Sequence, residues 1–315
     1  MDFSQLKRNS IFDRKSLVES QKSSRPPQTP TTFRAFWEAL PDYLKASDLH
    51  NLVRAILSAK QNSRPVIYMM GAHSIKVGLS RWIIEAIKRG YISALAMNGA
   101  CMIHDFELAL AGATSEDVAE SLIDGSFGMT KETGDYLNRW IREAADQSRG
   151  MGEFIGRAIF ESDFRYKELS LFAAAYEQNI PLTVHIALGT DVIHHHPESS
   201  GEALGKTSLA DFHRFCEIVS TIGEGGVVLN VGSNVILPEV FLKALTVARN
   251  LCGPIHNFTT ANFDMIQHYR PNTNVVKRPT MGGGTGYTFT GHHEIMLPLL
   301  FTALMELDAG GFAIK

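Results

Sequence analysis

The chain has 315 residues, 44% hydrophobic and 20% charged, enough apolar material for one large α/β domain or two small ones. A formal charge of −3 argues against nucleic acid as a partner, and three scattered cysteines (Cys101, Cys216, Cys252) argue against a disulfide framework or a thiolate zinc site. No apolar run approaches the roughly 20 residues of a membrane span, and the N-terminal stretch lacks a secretory segment, so a cytoplasmic protein without membrane contact is expected.

In chain order, residues 1–32 are polar and end in Ser23-Ser24-Arg25-Pro26-Pro27-Gln28-Thr29-Pro30, the composition of an arm. Residues 33–315 are expected to form one domain. Phe33 to Leu57 reads as helix interrupted near Pro41. Pro65 to Met70 is an apolar run ending on the small-residue loop Gly71 to Gly78, followed by an amphipathic helix carrying Leu79, Trp82, Ile83, Ala86 and Ile87. Ile92 to Met97 is a second strand, ending on Asn98-Gly99-Ala100 before an acidic turn, His104-Asp105-Phe106-Glu107. This strand, loop, helix, strand passage is the unit of a parallel sheet, whose ligands sit over the carboxyl ends of the strands.

Helices are then expected from Thr114, from Thr130 to Ala145, from Glu153 to Phe160 and from Leu169 to Gln178. Pro181 to Leu188 is a strand ending on Gly189-Thr190-Asp191. Ser208 to Ile222 is a helix, Gly226 to Val231 a strand ending on Gly232-Ser233, and Pro238 to Asn250 a helix with Pro at its start. Ile255 to Phe258 is a strand ending on Thr259-Thr260-Ala261, Gly282 to Gly286 is glycine-rich, and an apolar helix starts at His292. The alternation predicts an α/β fold with a Rossmann-like parallel sheet flanked by helices.

Five small or polar loops at strand ends together suit a nucleotide-sized ligand. Neither G-x-G-x-x-G nor a P-loop is present. His194-His195-His196, beside Asp191, and His292-His293-Glu294 are compatible with a metal. The H-E-x-x-H spacing fails at Leu297, however, and contacts to substrate or solvent account for these residues without one. Cys101 has no paired histidine and reads as a core residue. Lys76 and Lys277 are the lysines able to form an imine if desolvated, and solvated surface charges otherwise.

At these loops the sequence resembles deoxyhypusine synthase and its homospermidine-synthase relatives, from about Ile67 to Leu300. Four passages carry the likeness: Gly71 to Leu79, Leu95 to Asp105, Tyr176 to Asp191 (N-x-I-P…A-L-G-T-D) and Thr260-Ala261-Asn262-Phe263-Asp264, with Pro298-Leu299-Leu300 matching a C-terminal helix. The resemblance implies a homotetramer that binds NAD, oxidises a polyamine such as spermidine, and passes an aminobutyl group through a lysine imine to an acceptor amine. It implies cofactor contacts at Gly71, Ser74, Asn98, Gly99, Gly232, Ser233, Thr260, Ala261 and Asp264. Asp105 and Asp191 would orient the cation, His104 or His196 would move protons, and Lys277 would carry the group. Ile103 and His104 stand where the family has paired glutamates, and Asn230 to Leu237 replaces its Lys-His-His segment. No resident metal is expected. The rival readings are a metal-assisted hydrolase using His194, His196 and Asp191, and a non-catalytic nucleotide-binding relative.

Overall fold

The computed structural model describes residues 3–7, 22–24, 26–29 and 31–310. Most of the polar stretch expected to be an arm lies outside them. The chain divides into a unit of residues 1–50 and a larger unit of residues 51–315. In the first, helix α1 (Phe33–Ala39) is capped by the Thr32 hydroxyl, which accepts from Ala35 N at 3.2 Å. Trp37 packs edge-on against His50, with ring centroids 4.6 Å apart. Helix α2 (Leu44–Gln61) carries the chain into the second unit.

That unit is built on six parallel strands: β1 (Val66–Met70), β2 (Ala94–Asn98), β3 (Leu182–His185), β4 (Val227–Val231), β5 (Phe258–Asp264) and β6 (Gly284–Thr290). Their order across the sheet is β3-β2-β1-β4-β5-β6. This is the doubly wound Rossmann-like arrangement, in which the direction of strand addition reverses between β1 and β4. The two central strands, Val-Ile-Tyr-Met-Met and Val-Val-Leu-Asn-Val, are buried along their whole length. Near-continuous apolar runs of this kind, interrupted here by Asn230, belong to sheets covered on both faces.

The covering helices are α3 (His73–Lys76), α4 (Ser80–Lys88), α5 (Gly99–Ala111), α6 (Val118–Asp124), α7 (Lys131–Asp146), α8 (Met151–Glu161), α9 (Leu171–Glu177), α10 (Gly201–Val219), α11 (Ile236–Cys252), α12 (Tyr269–Pro271) and α13 (His293–Ala309). Between α12 and β6 the chain winds through a π-helix, Asn272–Lys277.

Five details depart from the sequence reading. The passage after Asn98 is helix rather than loop and turn: the Asn98 side chain accepts from Cys101 N at 3.1 Å and starts α5 at once. Helix α6 begins at Val118 behind an Asp117 cap, not at Thr114. Helix α10 begins at Gly201 behind Ser200, which leaves Ser208 and Asp211 inside it. Residues 259–264 are strand rather than loop. Polar side chains are tolerated there because they pair: Asn230 Nδ2 donates to Asn262 Oδ1 at 2.7 Å, and Asn262 Nδ2 donates to Gln267 Oε1 at 2.8 Å. The sixth strand escaped the reading because its glycines look like a loop. Gly286 is needed there, since a Cβ on it would lie 2.3 Å from the Val276 carbonyl oxygen of the π-helix.

Asp211 ties three elements together. From α10 its Oδ2 accepts Val184 N of β3 at 2.9 Å and Gly152 N of α8 at 3.0 Å. Asp211→Ala strands two buried N–H donors at about 1–3 kcal/mol each, so a loss of about 3 kcal/mol is expected from the urea midpoint. An unchanged midpoint would mean that this carboxylate is not what joins α8 to the sheet.

Candidate functional site

Two features occupy the carboxyl end of the sheet. The first is the crevice between β1 and β4. Gly71 N donates to Val231 O at 3.0 Å, and a Cβ on Gly71 would lie 2.4 Å from the Gly232 carbonyl oxygen. Only glycine lets these two strand exits run backbone to backbone. Gly232 itself has φ +64°, and a Cβ there would meet His293 Cε1 at 2.6 Å.

Buried polar atoms without hydrogen-bond partners occur on residues that follow these strands, Asn234 Oδ1, Asp264 Oδ2 and His293 Nδ1, while the Ser74 hydroxyl faces the equally buried Tyr68 hydroxyl. His293 Nε2 donates to Phe263 O at 3.1 Å, so Nδ1 carries the lone pair. Burial is the main influence lowering the pKa of His293, which keeps its ring neutral near pH 7. The space beside both glycines is taken by the chain's own atoms, so they serve the close packing of the strand exits, and the unsatisfied polar atoms are what remains to meet a ligand. Of the expected cofactor contacts, Gly71, Ser74, Gly232, Ser233 and Asp264 lie at or just beyond these strand exits, and the Ser233 hydroxyl is already engaged, accepting from Leu237 N at 3.2 Å.

The second feature is a cleft of about 630 Å³ beside the β2 and β3 exits, lined by Lys76, His104, Glu107, Thr114, Thr133 and Asp191 among others. Glu116 and Glu132 add further acids, and Lys76 is its single lining lysine. Helix α5 puts His104 and Glu107 three residues apart on one face. Glu107 Oε1 accepts from Thr133 Oγ1 at 3.0 Å, and Oε2 accepts from Thr114 Oγ1 at 2.5 Å. Thr114 Oγ1 lies 2.7 Å from His104 Nδ1. Burial, reinforced by Lys76 and opposed by Glu107, lowers the His104 pKa.

Asp191 sits over the start of α5. A Cβ on Gly99 would lie 2.0 Å from Asp191 Oδ2, so the carboxylate occupies the space that glycine leaves. Burial pushes the Asp191 pKa up to about 6. His194 Nδ1 accepts from Gly189 N at 3.1 Å and from Asp191 N at 3.3 Å, which puts its proton on Nε2, 3.8 Å from Asp191 Oδ2.

The other expected site residues are dispersed. Asp105 is fully buried on the opposite side of α5, where it accepts from Ser170 Oγ, from Leu171 N at 2.7 Å and from Phe172 N at 3.4 Å. It anchors the start of α9 and faces no cation. His196 Nε2 donates to Gly128 O at 2.9 Å, as His195 Nε2 does at 3.1 Å, so both pin a loop. Thr260 and Ala261 lie inside β5, fully buried and short of the sheet's carboxyl edge. Lys277 is exposed at the end of the π-helix, on the return path to the amino end of β6 and away from every strand exit. Asn98 is spent as a helix cap and Cys101 is core. Among the described residues no three His, Cys, Asp or Glu side chains gather as a metal would require. Glu107, Thr114 and Thr133 are the residues the sequence reading missed. The i, i+3 spacing of His104 and Glu107 was their one visible trace.

No protein-family model matches the chain, and no curated protein matches it. Solved structures do. ArgZ, an arginine dihydrolase of the cyanobacterial ornithine–ammonia cycle, is 15% identical over 83% of this chain and 31% of its own, with a TM-score of 0.52. AgrE, solved with ornithine and NAD+, is 13% identical over 84% of this chain and 33% of its own, with a TM-score of 0.51. A presumed deoxyhypusine synthase from Entamoeba histolytica is 8% identical over 88% of this chain and 94% of its own, at 0.50. The fold is therefore shared with enzymes, one of them captured with NAD+. The chain spans about a third of the length of ArgZ and AgrE. Identities this low establish the Rossmann-like fold and nothing finer. Among the described residues no helix is long and apolar enough to cross a membrane.

Two outcomes follow from the packing. Gly99→Ala should cost about 2 kcal/mol by expelling the Asp191 carboxylate, and Asp191→Ala in the same chain should restore most of that loss. Strictly additive losses in urea unfolding would show that the two residues do not meet. Burial also pushes the Asp105 pKa up to about 7, above its value in the unfolded chain. Between about pH 4 and pH 7 the folded state then binds more protons at this group, so its contribution to stability falls as pH rises. Asp105→Asn should flatten that decline in the urea midpoint; an identical pH slope in the variant would remove Asp105 from the account.

Proposed function

We propose that the chain is an NAD-dependent enzyme that oxidises a small cationic amine, the first half of the deoxyhypusine-synthase type of reaction. The observation that carries this reading is the acid-lined cleft beside the crevice of a doubly wound sheet. Glu107, Glu116, Glu132 and Asp191 face a single lining lysine, a balance that favours an ammonium or diammonium ligand. Asp191 would orient the cation. NAD held at the crevice would supply the hydride acceptor for the carbon next to nitrogen. The solved complex of AgrE with NAD+ and ornithine, itself an amine, lends the reading support at the level of fold.

The second half of the reaction, transfer of an aminobutyl group to an acceptor amine, does not run through Lys277 in this reading, because that side chain is remote from the strand exits. We assign that role to Lys76, an exposed lysine at the end of α3 that lines the cleft with His104 and that a bound ligand would have to desolvate. A polyamine such as spermidine is the substrate class expected, with a homotetramer as the assembly.

Calorimetry with NAD, followed by NADH absorbance with a panel of diamines and polyamines, tests the function. Gly232→Ala should abolish NAD binding, since the new methyl group is strained at φ +64° and meets His293. The crevice is excluded as the cofactor site if a folded Gly232→Ala chain binds NAD as tightly as the parent. NAD binding with no turnover of any amine would instead support a non-catalytic nucleotide-binding relative. Borohydride trapping during turnover should place any covalent adduct on Lys76.

A further inference from the structure

We infer that Glu107 and Thr114 form a hydroxyl-bridged relay that fixes His104 as the Nδ1–H tautomer and so presents Nε2 to the cleft as a proton acceptor. The inference rests on the functional reading only for the identity of the proton donor.

The hydrogen-bond inventory sets the direction of the relay. Glu107 accepts at both oxygens, from Thr133 at one and from Thr114 at the other. A threonine hydroxyl has a single proton. With that proton committed to Glu107, Thr114 Oγ1 can only accept from His104, so the imidazole proton sits on Nδ1. Nε2 has no hydrogen bond to the described protein, and it is not among the buried unpartnered atoms that include His194 Nε2. It is the nitrogen left for a ligand.

The arrangement works as a base and not only as a tether. The His104 side chain is 17% exposed and that of Glu107 21%, so both groups are largely screened from water. Glu107 Oε2 is 3.8 Å from His104 Nδ1. A proton arriving at Nε2 creates an imidazolium that Glu107 stabilises across the Thr114 hydroxyl, working against the burial and the Lys76 charge that lower the His104 pKa. The groups facing this pair are Lys76 from α3, Glu116 from the loop after α5, Glu132 and Thr133 from α7, and Asp191 from the β3 exit.

The transfer itself is simple. An N–H bond of the bound ammonium breaks, its electron pair stays on the amine nitrogen, and the proton forms an N–H bond with His104 Nε2. An amine must lose that proton before its nitrogen lone pair can drive formation of a C=N bond. Glu107 and Thr114 line the cleft but act on the transferred proton through His104, so for this step they are positioning residues.

Nitrogen-15 NMR of histidine-labelled protein, without cofactor or substrate, tests the relay. The His104 signal is identified by its disappearance in His104→Gln. Above neutral pH the parent should show a protonated Nδ1 and a bare Nε2. Thr114→Val should move His104 towards the Nε2–H tautomer, and Thr114→Ser should restore the parent pattern. A parent His104 protonated at Nε2, or a Thr114→Val spectrum identical to the parent, overturns the inference. If an amine substrate is found, kcat should fall about 100-fold in His104→Gln and about tenfold in Thr114→Val, with little change in KM. An intact tautomer pattern in a chain that oxidises no amine would sink the proposed reaction and leave the relay standing.

Discussion

The constraint on which the site depends is the contact of backbone with backbone where β1 and β4 leave the sheet. Two central strands buried on both faces cannot shift, so how closely their exits run is set by the residues there. Gly71 and Gly232 permit the contact by lacking side chains. Everything at the carboxyl edge is then placed by register. Asp264 comes to that edge because β5 is in step with β4, and α5 begins where it does because β2 ends on a side chain that caps it.

The fold was largely legible in the sequence because central parallel strands are long apolar runs and their exits are small residues. Val66–Met70 and Val227–Val231 announce themselves in this way. The strand at 258–264 was harder, since threonine and asparagine in a buried strand look like a loop until Asn230 and Asn262 are seen to pair with each other. The sheet edge at 284–290 was hidden by its glycines.

The site was only partly legible, and for a different reason. Charge and hydrogen-bonding capacity appear in a sequence, but their destination does not. Asp105 and Asp191 looked alike, yet one is sealed inside the fold holding α9 and the other faces the cleft. The three consecutive histidines drew attention as possible metal ligands. Each is instead committed to backbone: His194 accepts from two amides, and His195 and His196 donate to the same carbonyl. Glu107, Thr114 and Thr133 come from three separate segments, and no local pattern joins them.

The position of Thr114 constrains this chain's relatives. The residue stands two places after Gly112, which closes α5 at φ +73° and could not carry a Cβ without meeting the Tyr166 ring 2.8 Å away. The spacing from His104 to Thr114 is therefore held by a helix of set length and a turn with one permitted residue. Further along the same segment, Leu122 and Ile123 lie largely in solvent and are free to drift. Relatives that keep this chemistry should vary widely between residues 118 and 125 while tolerating no insertion or deletion between 104 and 114. A gap in that short interval would mark the branch where the chemistry changed, even if the histidine itself survived.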